Sequence, residues 1–273
     1  MLSRRFLINC LLGPIICGVL LASCQSSPEK VSSKTSQGIL TIRANGEDFI
    51  RQGFTSKDGW HLDFKRVAVN LGAVTAYQTA PSFDPEGSQP LRAKQQVSLE
   101  DTQPVDLAAG DRTAETKTIL VGTIPAPPGH YNALSWQLLK DAAGYSLVLQ
   151  GLAQKGAQQI PFTLKLDRNV AFVCGDYVGE ERKGLLTSAG QADLEATFHF
   201  DHLFGDGSLS SEDELNRGAL GFGPLAQLAT QNRLEITASE LARQLPPEEA
   251  QKLETLWLSL GHVGEGHCQA KYL

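Results

Sequence analysis

Four of the six histidines stand in two short stretches of the chain. The first is Glu195-Ala196-Thr197-Phe198-His199-Phe200-Asp201-His202-Leu203-Phe204-Gly205-Asp206, and the second is Gly261-His262-Val263-Gly264-Glu265-Gly266-His267-Cys268. Neutral imidazole and carboxylate together are a common ligand set for zinc, copper or iron. His199, Asp201, His202, His262 and His267 are therefore the candidate metal ligands, with Glu265 and Asp206 in reserve. Polar and apolar residues alternate from Glu195 to Asp201, which is the period of a half-buried strand. Such a strand turns Ala196, Phe198 and Phe200 to a core and sets His199 and Asp201 side by side, roughly 7 Å apart. The glycines of the second stretch let its backbone bend to aim two imidazoles, a carboxylate and a thiol. The two stretches read as halves of one site.

A third His-Asp pair lies upstream. After the turn signal Asp58-Gly59, residues Trp60, Leu62 and Phe64 alternate with His61 and Asp63. His61 and Asp63 are further reserve ligands, and the same spacing equally suits a solvated strand face.

The elements that must position these groups are mostly strands. Strand patterns cover 39–44, 67–71, 73–77, 105–107, 117–124, 131–138, 146–151 and 160–166, and 170–178 reads as a strand into a turn, with glycine, proline or aspartate at the breaks. Their spacing of roughly ten residues predicts a mainly β fold, an antiparallel β-sandwich with a small helical C-terminal portion at about 209–260. In that portion Ser210 or Ser211 suits an N-cap, and Thr237 with Glu240 fits a capping box. Pro246-Pro247 opens a last helix with Leu253, Leu256, Trp257 and Leu260 as its apolar stripe. Around Gly207 an EF-hand alignment puts His202 and Phe204 at ligand positions, so a calcium loop is rejected.

Two resemblances within the body of the chain add expectations. Val105-Asp106-Leu107 followed by Pro128-Gly129-His130-Tyr131-Asn132 resembles uncharacterised bacterial lipoprotein domains with a transthyretin-like or immunoglobulin-like sandwich, over about residues 38–166. Phe198-His199-Phe200-Asp201-His202 is similar to the opening strand of the methanobactin-associated periplasmic copper-binding proteins. Here the motif comes late in the chain rather than near a mature N-terminus.

The chain begins with a basic Met1-Leu2-Ser3-Arg4-Arg5, then an apolar run from Phe6 to Leu21 that ends in Leu21-Ala22-Ser23-Cys24. That run is too short and wrongly flanked for a spanning helix and reads as a signal peptide over 1–23. Leu-Ala-Ser-Cys resembles the lipobox of bacterial lipoproteins. The resemblance implies cleavage before Cys24, lipidation of that cysteine and, with Gln25 next, the outer membrane, facing the periplasm. Residues 24–38, rich in Ser, Lys, Gln and Pro, read as a flexible linker, and 39–273 as the body with its His/Cys tail. Of the five cysteines, Cys10 and Cys17 leave with the signal and Cys24 carries lipid. Cys174 and Cys268 remain and in an oxidising compartment most often pair, the alternatives being free thiols or metal ligands.

A net charge of −6 without Lys/Arg clusters speaks against nucleic acid as partner. The membrane, through the lipid, is the expected partner, together with a metal-transport or envelope protein. A metal-binding lipoprotein for metal handling or sensing is the first functional expectation. The second is a structural β-sandwich lipoprotein that binds a partner or glycan without metal, for which Trp60 and Trp136 are the exposed aromatics to look for. An enzyme ranks third. Imidazoles, carboxylates and a metal can hydrolyse esters or phosphates, but the sequence has no nucleophile elbow, no HExxH and no phosphate-cradling glycine loop.

Overall fold

The computed structural model describes residues 36–110 and 118–273, so the expected signal peptide, Cys24 and most of the expected linker lie outside the described residues. The chain first forms β1 (Gly38–Asn45), α1 (Glu47–Gln52), β2 (Phe54–Thr55), β3 (His61–Thr79), β4 (Ala93–Ser98), β5 (Gln103–Asp106) and β6 (Ile119–Ala126). Next come β7 (Gly129–His130), β8 (Ala133–Leu138), β9 (Leu147–Lys155), β10 (Gln158–Leu166), β11 (Val170–Cys174), β12 (Leu185–Leu186) and β13 (Gln191–Phe198). The remainder holds α2 (Asp201–Phe204), α3 (Glu214–Gly218), α4 (Gly223–Gln227), β14 (Leu234–Thr237), α5 (Ala238–Gln244), α6 (Pro247–Leu258), β15 (Gly261–Val263) and β16 (Gly266–Tyr272).

Among the described residues, fourteen strands join in one sheet with the path β14-β10-β9-β3-β8-β11-β16-β15-β13-β1-β6, and β2, β4 and β5 also pair with β3. The fold is mainly β with small helices, as expected, but it is a curled mixed sheet and not a clean antiparallel sandwich. β1 pairs with β13, and β10 with β14, in parallel. Alternation marks a strand without naming its partner, and both parallel partners return only after long connections. Curling has a local cause in β3, whose nineteen residues pair with β9 up to Val69 and with β8 from Leu71. The register shifts at Phe64/Arg66 and at Gly72/Thr75, and Ala73 takes φ 49° within the second shift. Bulges of this kind bend and twist a strand.

The stretch around His199 departs from its expected strand. Pairing stops at Phe198, the His199 N–H reaches the Leu260 carbonyl at 3.1 Å, and the chain turns into α2. His199 and Asp201 therefore do not share a strand face. Phe204 anchors this turn, with ring centroids 6.1 Å from Phe54 and 6.3 Å from Phe64. Truncating a buried ring of this size typically costs about 3–5 kcal/mol, so the contact also fixes His202 two residues before it.

The capping box at Thr237 and Glu240 is present. The α3 N-cap, however, is Asp213 rather than Ser210 or Ser211, and its carboxylate accepts from the Leu215 N–H at 3.0 Å. An ionised oxygen is the stronger acceptor for an exposed helix end. α6 buries Ala250, Leu253, Leu256 and Trp257 and stops at Ser259, from which Leu260 leads into β15.

β16 joins the two halves of the sheet. Gly266 and His267 pair with β15, whereas Cys268 to Tyr272 pair with β11. At the crossover Cys174 and Cys268, directly opposed, form a disulfide with Cα atoms 4.3 Å apart. The sulfur of Cys268 is thereby removed from any ligand set.

Candidate metal centre

Strand pairing brings the two histidine stretches together. Thr197 on β13 faces His262 on β15, and His262 faces His267 across the β15–β16 hairpin. Gly264, at φ 59°, forms the turn of that hairpin, where a Cβ would lie 1.9 Å from the Val178 carbonyl oxygen, so only glycine fits. His199, His202 and His262 each offer a ring nitrogen within 4.8 Å of the other two. A second group, Glu47, His199 and Glu265, meets the same limit and shares His199. His267 borders both His262 and His202, with centroids at 4.6 and 5.9 Å.

Hydrogen bonds hold one nitrogen of each ring and leave the other open. His262 Nε2 donates to the Ser259 carbonyl at 3.1 Å, and its buried Nδ1 has no partner. Ser259 Oγ gives its proton to the Leu256 carbonyl and so accepts from His202 Nδ1 at 3.2 Å. His199 bonds the backbone of Gly264, and its buried Nε2 is unpaired. Each ring thus spends one nitrogen on the protein and keeps a lone pair on the other, the usual arrangement of metal-ligating histidines. Ser259, the C-cap of α6, orients two of the three rings. The partial negative charge of the α6 C-terminus also favours a cation nearby.

Burial keeps the rings neutral. Desolvation, then the neighbouring His202, pushes His199 down to about 4. His262 falls to about 3 through desolvation and then His199, and His202 is lowered by desolvation and His267. The carboxyls move the other way. Glu47 is pushed up to about 7, chiefly by burial and then by the charges of Asp201 and Glu265. Asp201 rises to about 6, again mainly by burial. Glu47 Oε1 lies 3.4 Å from His199 Nε2, outside hydrogen-bond geometry and against a ring that stays neutral. Neutral imidazoles beside carboxyls that resist ionisation form a site whose electrostatics a divalent cation improves.

Other expected contributors are placed elsewhere. Asp201 is half-buried near Glu47, with its buried Oδ1 unpaired, but belongs to neither ligand-distance group. Asp206 spends Oδ1 on the Ser208 N–H at 2.7 Å and shapes a loop. His61 and Asp63 face each other at 3.7 Å on β3, partly exposed, and join neither group. Trp60 and Trp136 are 5% and 1% exposed, so neither offers a surface aromatic for a glycan or a partner.

Two residues of the site were not apparent in the sequence. Ser259 looks like an ordinary helix-end serine. Glu47 follows the turn signal Asn45-Gly46, its sole local hint, and adopts φ 61°, which is rare for a residue other than glycine. Asn45 holds it there, accepting the Glu47 N–H at 2.9 Å while donating to Glu195 at 2.9 Å. Backbone strain of this kind costs about 1–3 kcal/mol and clusters at functional sites.

The chain matches no protein-family model, no curated protein and no solved structure.

Proposed function

We propose that this chain is a lipid-anchored protein of the bacterial envelope that binds a transition metal ion, zinc, copper or iron, for metal handling or sensing. His199, His202 and His262 are its ligands in this reading, with Glu47, Glu265 and His267 at hand to complete or exchange the coordination. The observation that carries the reading is the pair of buried, unpartnered ring nitrogens, His199 Nε2 and His262 Nδ1, in a cluster of three neutral imidazoles. Buried polar atoms without partners are rare and ask for a specific reason. A bound cation supplies one. Nitrogen and oxygen donors without thiolate suit all three metals and leave the choice among them to supply.

The test is a competition titration against a chromogenic chelator. His199→Ala and His262→Ala should each weaken zinc or copper binding by about a hundredfold, and Ser259→Ala by about tenfold through loss of ring orientation. Wild-type affinity in both histidine variants would overturn the assignment.

A further inference from the structure

The histidine cluster borders a cleft of about 690 Å³ between α3 and α6. His202 and His267 form part of its wall together with the apolar Leu215, Ala219 and Leu256, while Glu47, His199, His262 and Glu265 do not line it. The cleft therefore reaches the cluster from its imidazole side alone. Its size is that of a small-molecule site. Another hollow, about 450 Å³ around Asp63, Phe64 and Arg233, has no imidazole on its wall.

We infer that this cleft seats a small organic molecule with an apolar body and an anionic oxygen-donor head, a carboxylate or hydroxamate, whose head coordinates the ion held by the histidines. The inference rests on the metal reading above. Three neutral imidazoles add no charge to a divalent ion, and a zinc-like ion held by them keeps a fourth position for an exchangeable oxygen ligand, Glu47, Glu265 or an incoming head. An anionic head answers both needs. The cleft's own charge does not favour an anion: Lys252, which gives one of its three N–H donors to the Arg217 carbonyl at 3.0 Å, is outnumbered on the lining by Glu214 and Glu248. Head binding is thus conditional on the ion, while Leu215, Ala219 and Leu256 cover the apolar body.

Gly218 permits a clean test, because it lines the cleft and a Cβ there meets no atom within 4 Å. Gly218→Trp puts an indole on the cleft wall from a position that supplies no ligand. The full chain, loaded with cobalt(II) as a coloured stand-in for zinc, is titrated with acetohydroxamate and with benzohydroxamate. Benzohydroxamate should bind about tenfold or more tighter, beyond its advantage on aqueous cobalt(II), and shift the visible bands. Gly218→Trp should abolish that preference and leave cobalt binding intact. Equal affinities, a preference that survives Gly218→Trp, or equal binding to the metal-free chain would overturn the inference. Failure of cobalt to bind at all would overturn the metal reading as well, so the two failures are distinguishable.

Discussion

The imidazole of His262 lies flat against that of His199, with ring centroids 3.9 Å apart and planes 8° from parallel. An imidazole nitrogen offers its lone pair within the ring plane, about 2.0–2.1 Å from zinc. Two parallel planes at this separation share no in-plane point, and an ion midway would sit about 2 Å out of each. Capture of one ion by both rings therefore requires one of them to tilt. A crystal structure of the zinc-loaded chain should show the stack opened by roughly 30° or more, with one ring released from its tether at Ser259 or Gly264. Zinc bound elsewhere on the chain beside an unchanged stack would contradict this.

Glu47 gives the metal-free chain a pH dependence of known sign. Its folded value of about 7 stands above its ordinary 4.5, so the folded chain holds the proton more tightly than the unfolded chain. Stability falls as pH rises from 4.5 to about 7 and stays lower above, by about 3 kcal/mol at most. In chelator, Glu47→Gln should match the wild type near pH 4.5 and melt higher at pH 8. With metal bound the order at pH 8 should reverse. Parallel melting curves for the two proteins across this range would remove Glu47 from the account.

The proposed lipid anchoring rests on Cys24, outside the described residues. Bacteria expressing the chain and fed an alkyne-labelled fatty acid should incorporate label into the wild type and not into Cys24→Ala, with the wild type in the outer-membrane fraction. Label persisting in Cys24→Ala would refute the lipobox reading.

Much of the site could be read from residue types, because six histidines are few and four of them cluster. Convergence could not be read, since it depends on Thr197 pairing with His262 and on a hairpin that sets His267 beside it. Asp201 was misplaced because alternation continues through Phe200 although the ladder ends at Phe198, where a turn into α2 wins. Glu47 was invisible for a different reason. It reaches His199 from β1's far end through a parallel pairing, with a backbone conformation that no propensity favours. Strands were found where alternation was clean, but the antiparallel sandwich failed because partner and direction are long-range properties of the sheet.

The most direct measurement is elemental analysis of the full chain, purified without a histidine tag, with thermal melts before and after chelation. The account predicts near-stoichiometric zinc, copper or iron and a melting temperature that falls on chelation. Metal-free protein whose melting temperature ignores added zinc, copper and iron would contradict it.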